Sequence, residues 1–133
     1  MKHLLDVNVL LAAIWANHPQ HGRAISWLEH KTIVLCPLSE LGFVRISTNK
    51  KAINAPMEKA RAGLEKFAME RKADRIADDL PALDPHPSKS EHVTDFYLAN
   101  LADKHGLKLA TFDAGINHRA VDLVSLPPPP PVD

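Results

Sequence analysis

The stretch "HLLDVNVLLA", residues 3–12, decides how this chain is read. Residues 3 to 7 have the apolar character of a short strand, and Val9 to Ala16 that of a short helix following it. Asp6 interrupts the run at the junction. Strand interiors disfavour aspartate, and a carboxylate removed from water is costly unless something binds it. The backbone N–H groups of a neighbouring helix N-terminus are one such partner. A cation is another.

The pattern repeats outward from there. "HPQHGRAISWLEH" (18–30) sets Ala24, Trp27 and Leu28 at helical spacing with Pro19 near the start. "TIVLCP" (32–37) is a continuous apolar run closed by proline, as in a strand buried on both faces. Leu38 to Thr48 reads as a helix, and Met57 to about Arg71 as a longer one striped by Ala60, Leu64, Phe67 and Ala68. Residues 73–93 carry "DDLPALDPHPSKSEH" and read as loop, with a short strand near Arg75–Ala77. Thr94 suits the N-cap of a helix that ends at Gly106. "LKLAT" (107–111) and "VDLVSL" (121–126) supply two last strands. Short apolar strands alternating with helices predict an α/β domain with a mainly parallel sheet.

Length and composition fit that class. The 133 residues, 45% apolar and 24% charged, predict one domain over 1–126. A proline-rich tail, 127–133, is expected to be extended. No apolar run reaches the roughly 18 residues of a membrane span. The N-terminus lacks the charged, apolar and cleavage regions of a signal peptide. Cys36 is the single cysteine, which rules out an intramolecular disulfide and a zinc-type cysteine pair. Cytoplasm is the expected compartment. Sixteen basic residues balance sixteen acidic ones, so overall charge gives no support to non-specific nucleic-acid binding and leaves a local basic groove open.

Four acids stand out against this background. In open parallel sheets, ligands bind beyond the C-terminal ends of the strands. Asp6 closes the first strand and Asp113 follows "LKLAT" by two residues, so both belong at that edge. At about 100° per residue, Glu40 falls between Phe43 and Val44 on the inward side of its helix. Asp95 falls on the stripe of Leu98, Ala99 and Ala102. Each has a plainer explanation. Asp95 and Glu40 would favour a helix N-terminus by about 0.3–1 kcal/mol, Glu40 could also pair with Arg45, although five residues apart is poor helical geometry, and Asp113 would form a turn before Gly115. Together these explanations weaken. At about 4 Å and an effective dielectric near 20, each like-charged pair would cost on the order of 4 kcal/mol. A converging set needs protons or a cation, and hard oxygen ligands suit Mg²⁺ or Mn²⁺.

"LLDVNVLLA", "HPQHGRAISWL", "CPLSELGFVRISTN" and "VTDFYLANLADKHGLKLATFD" occur in the order and at the spacing of PIN-domain proteins. The set most resembles the VapC-type toxins of bacterial toxin–antitoxin pairs, over nearly the whole chain except residues 71–90 and the tail. The resemblance implies a three-layer α/β/α sandwich, ribonuclease activity dependent on Mg²⁺ or Mn²⁺, a cognate antitoxin that inhibits it, and pairing of the toxin into a homodimer. It places Asp6, Glu40, Asp95 and Asp113 on the family's acidic, metal-holding positions. Asn8 and Thr111 fall on supporting positions that orient the carboxylates. Asp103 lies about 80° round the helix from Asp95 and is expected on the flank. Arg45 projects away from Glu40's stripe, where it would hold an RNA phosphate; Lys50, Lys51 and Arg119 are weaker candidates of that kind. His18 and His21 would share a helical face without a third metal ligand, and neither they nor His92 is required. The antitoxin is expected near the first helices, at Ile14, Trp15 and Trp27. The RNA substrate would be selected by surface shape and by loop 71–93.

Two other readings compete. "LLDVNVL" resembles the first motif of haloacid-dehalogenase-type phosphatases, but Asn8 stands where the proton-donating acid is needed, and the later lysine and strand-end acidic pair are missing. A receiver domain is disfavoured similarly, because Lys108 lies inside its strand. The non-enzymatic alternative is an inactive PIN module that only binds. Four mutually repelling carboxylates argue against that.

Overall fold

The computed structural model describes residues 1–82 and 90–125. Its elements run β1 (Lys2–Leu5), α1 (Val7–Ile14), α2 (His21–Leu28), β2 (Thr32–Leu35), α3 (Pro37–Thr48), α4 (Met57–Glu70) and β3 (Asp74–Arg75). A 3₁₀ turn (Ser90–His92) then leads into α5 (Val93–Lys104), followed by β4 (Lys108–Thr111) and β5 (Val121–Leu123). The five strands form one parallel sheet in the order β3-β2-β1-β4-β5.

Period-two alternation in the strands sorts the core into two layers. Leu5, Ile33, Leu35 and Ala110 pack with α1 to α4, including the fully buried Val9, Leu10, Leu28 and Phe43. Leu4, Val34 and Leu109 point to the other face and pack against Leu98, Ala99, Leu101 and Ala102 of α5. Because helices cover both faces, the strand sequences are apolar runs rather than alternating ones. The result is the expected three-layer α/β/α sandwich.

One close approach and one left-handed turn fix how the helices are set. A Cβ on Gly42 of α3 would lie 2.6 Å from Cγ2 of Val7 in α1, so only glycine lets these two helices meet as they do. At the far end of α5, Gly106 takes φ +70°, the left-handed turn that ends the helix. Asp6 occupies the N-cap of α1 and Cys36 that of α3. Leu4 pairs with Val34 across β1 and β2, which puts Asp6 and Cys36 level with one another at the same sheet edge.

Several boundaries differ from expectation. α1 begins at Val7, not Val9, because Asp6 caps it. α5 begins at Val93 with His92 at its N-cap, since the 3₁₀ turn feeds straight into the helix and leaves Thr94 inside its first turn. β5 covers only the first half of 121–126, and the short strand near residue 75 is Asp74–Arg75. The proline tail, the 126/127 domain boundary and residues 83–89 of loop 71–93 lie outside the described residues. No helix among the described residues is long and apolar enough to cross a membrane.

Candidate active site

The order of the strands reverses between β1 and β4, which opens a crevice at their C-terminal ends. Asp6 stands at the end of β1 and Thr111 ends β4 beside it. Asp6 is only 2% exposed. Its Oδ1 accepts from the backbone N–H of Val9 at 2.9 Å, so the helix N-terminus does capture one oxygen. That capture does not offset desolvation. Burial, with the nearby Asp95 adding to it, raises the Asp6 carboxyl to about 6, against hydrogen bonds from the Thr111 hydroxyl and the backbone of Val9 and Asn8 that favour its charged form.

Asp95 enters from the first turn of α5 on the opposite face of the sheet. Its carboxyl is also raised, first by burial and then by Asp113, with His92 opposing. Asp113 is placed by the turn after β4: its Oδ1 accepts from the Gly115 N–H at 2.8 Å, and its own N–H donates to Thr111 Oγ1 at 3.1 Å. Its Oδ2 lies 3.3 Å from Nε2 of the buried His92. Thr111 therefore joins Asp6 to Asp113, while Asp95 feels both acids. The structure brings these three carboxylates to one edge.

Glu40 lies differently. From the first turn of α3 its Oε1 accepts from Nε of Arg75 at 3.1 Å, with the carboxylate side chain 23% exposed. Among the described residues no three histidine, cysteine or acidic side chains stand together as a ready-made metal cluster. The donor set at Asp6, Asp95 and Asp113 nonetheless fits a hard divalent ion. It consists of carboxylates, and Asp6 and Asp95 are pushed toward protonation by burial first and then by a neighbouring acid, the condition a cation relieves.

The remaining candidates fall round this centre. Asn8 is exposed on the first turn of α1 and contributes its backbone to Asp6. Arg45 is exposed on α3. Asp103 sits on the flank of α5 and grips Arg119 through paired hydrogen bonds, Nη2 to Oδ2 at 2.6 Å. That pairing occupies Arg119. His18 and His21 make separate local contacts, to the Gln20 N–H and the Ala12 carbonyl. His92 and Arg75 carry more of the site than sequence reasoning gave them. His92 had a signal, standing three residues before Asp95 in "HVTD". Arg75 had none, because its contact with Glu40 depends on β3 adding to the sheet beside β2.

Trp15 and Trp27 part company. Trp15 donates from Nε1 to Ser47 Oγ at 2.9 Å and stacks on Phe43, and with Ile14 it lines a groove of about 570 Å³ shared with Ile53, Pro56 and Lys59. Trp27 lies elsewhere, edge-on to His3 with Lys31 over its ring.

The chain is similar to known proteins over most of its length. The family model of the PIN domain matches residues 3–122. Ribonuclease VapC38 of Mycobacterium tuberculosis (strain ATCC 25618 / H37Rv) is 37% identical over 121 residues, which cover 85% of this chain and 86% of that protein. Ribonuclease VapC39 of the same strain is 35% identical over 127 residues, covering 87% and 91%. Among solved structures, VapBC2 from Rickettsia felis bound to a promoter DNA fragment superposes with a TM-score of 0.62 at 16% identity, over 92% of this chain and 97% of that one. This last likeness concerns the fold.

Proposed function

This chain belongs to the PIN-domain family, and from that premise we propose that it is the toxin of a toxin–antitoxin pair, a ribonuclease that hydrolyses RNA phosphodiesters with a divalent metal. The observation that carries the reading is the buried Asp6, raised to about 6 beside Asp95 at the C-terminal edge of the sheet. A scaffold that only binds gains nothing from two such destabilised carboxyls. Membership of the family also removes the phosphatase and receiver readings.

Asp6, Asp95 and Asp113 would hold Mg²⁺ or Mn²⁺. Glu40 is the fourth candidate and has to exchange Arg75 for the ion. When bound, the metal lowers the pKa of water and offsets charge growing on the phosphate. The protein supplies position. Thr111 fixes Asp6 and Asp113 relative to one another, the α1 N-terminus holds one oxygen of Asp6, and His92 steadies Asp113. Asn8 supports Asp6 through its backbone, the exposed Arg45 would meet the RNA backbone, and no side chain need act as a nucleophile.

The relatives named as ribonucleases support RNA as substrate, and the VapC–VapB pairing of the structural neighbour supports an antitoxin. The groove at Ile14 and Trp15 is where that antitoxin would lie. A homodimer completes the proposal. The experiment is cleavage of a pool of structured RNAs by antitoxin-free protein in Mg²⁺ or Mn²⁺ and in EDTA, wild type against Asp6→Asn. Cleavage that survives EDTA, or that Asp6→Asn retains, would overturn the metal-ribonuclease reading.

A further inference from the structure

A second cavity lies beside the acid centre and has no part in the chemistry above. It measures about 300 Å³, and its walls include Leu38, Leu80, Val93 and Tyr97, with Asp78 and Thr94 as the polar groups. Ligand pockets begin at roughly this size and combine apolar walls with a few polar groups. Its place in the fold is fixed from two sides. Thr94 precedes Asp95 in the first turn of α5. Asp78 reaches the Cys36 thiol, which burial, with a smaller push from Asp78, drives up to about 11. Cys36 is level with Asp6 on the adjacent strand, and neighbouring strands are about 4.8 Å apart. The cavity is therefore within one nucleotide's reach of the carboxylates.

Its polarity narrows what it would take. The neighbouring acids are held by cations, Glu40 by Arg75 and Asp79 by Lys104, with the His105 ring also on Asp79. Among the described residues Asp78 meets the Cys36 thiol and no cation, so it offers the cavity carboxylate oxygens that can still accept. That excludes a phosphate as occupant and calls for N–H donors. Among the RNA bases, guanine alone offers two adjacent donors, N1–H and the N2 amine, to the two oxygens of one carboxylate. Cytosine and adenine pair their amine with a ring-nitrogen acceptor, and uracil flanks its single N–H with carbonyls. Thr94 adds a hydroxyl donor for a carbonyl such as guanine O6. The Tyr97 ring supplies an aromatic face, anchored by its hydroxyl donating to the Leu80 carbonyl at 3.1 Å; single-stranded RNA is read by such faces and by base-edge hydrogen bonds.

We propose that this cavity, with Asp78 as its specificity-determining group, binds an unpaired guanine next to the cleaved phosphate. The inference rests on the ribonuclease reading for its position, and its test is arranged to separate the two. The probes are otherwise all-uridine oligoribonucleotides carrying guanosine, inosine, adenosine, cytidine or uridine at one position. Binding is measured by fluorescence anisotropy on Asp6→Asn protein, which does not depend on turnover, and cleavage on the wild type.

Guanosine should bind roughly tenfold more tightly than adenosine, cytidine or uridine, because only guanine meets both carboxylate oxygens with donors. Inosine, lacking the N2 amine, should fall between. Adding Asp78→Asn should collapse the preference to within about twofold, and an unchanged melting temperature shows that this exposed substitution leaves the fold intact. Wild-type cuts should lie at a fixed step from guanosine. Equal binding of all five probes, or a preference that survives Asp78→Asn, overturns the proposal. So does an Asp78→Asn effect confined to the antitoxin's hold, which would make the cavity part of the protein interface. Guanosine-selective binding without cleavage of any RNA would instead sink the ribonuclease reading and leave the guanine site standing.

Discussion

Asp6 serves two opposed ends. One oxygen caps α1 through Val9, which stabilises the helix start; the same burial places its charge in a poor medium beside Asp95. Its carboxyl stands at about 6 in the folded protein against 3.8 ordinarily. The folded state thus binds the proton more tightly than the unfolded chain does. Stability is then greatest below the unfolded value and is lost as pH rises through the folded one, a contribution on the order of 3 kcal/mol. Asp95 shifts in the same direction. Metal-stripped wild type should accordingly melt at progressively lower temperature between about pH 4 and pH 6. Asp6→Asn keeps an acceptor for Val9 and removes the charge. At neutral pH in EDTA it should be more stable than wild type by about 1–3 kcal/mol, while failing to cleave RNA. Denaturant titrations of both proteins check this, and a less stable Asp6→Asn would show that Asp6 is a structural cap first. At this scale the sequence was most legible where a residue type clashed with its surroundings, as Asp6 does in an apolar run. Partners contributed by distant elements, Arg75 to Glu40 and His92 to Asp113, left little or no trace in it.

The elements deliver these residues through a few tight contacts. α1 and α3 both start directly after adjacent strands, and the first turn of α1 touches the second turn of α3 at Val7 and Gly42. Replacing Gly42 by alanine would gain up to about 1 kcal/mol of helix propensity. The new methyl would meet Val7 Cγ2 at 2.6 Å, and a β-branched side chain has little freedom to turn away at χ1. Overpacking of this kind costs about 1–3 kcal/mol. Gly42→Ala should therefore destabilise by about 1–2 kcal/mol net and lower cleavage by more than stability explains, because the displaced turn carries Asp6. Thermal melts beside cleavage rates at a temperature where both proteins are folded make the comparison. A fully active, more stable Gly42→Ala would mean that α1 and α3 adjust freely. Helices and strands were found where periodicity put them, within a residue or two at most ends. The start of α5 was misplaced for a physical reason: Thr94 is a favourable cap by residue type, but the 3₁₀ turn at Ser90–His92 continues into the helix and moves the boundary upstream.

For the molecule as a whole, the strand order β3-β2-β1-β4-β5 could not be read from the chain, yet the edge carrying the acids could. In an all-parallel sheet every strand ends at the same side whatever its neighbours, so residues just past β1 and β4 share an edge under any order. Charge works at the same scale. Sixteen basic residues face sixteen acidic ones, and Lys2, Arg75, Lys104 and Arg119 are each committed to an acid. RNA should therefore be held by a few contacts at the crevice, not by a field over the surface. With two or three phosphates neutralised, at about 0.7 per phosphate for a single strand, log affinity should fall with log salt at a slope of about −1.4 to −2. Anisotropy of Asp6→Asn with single-stranded RNA between about 50 and 200 mM KCl measures it. A slope of about −5 or steeper would require a concentrated basic groove, and Arg45, Lys50 and Lys51, all exposed at the end of α3 and the turn beyond it, would be the first residues to place in it.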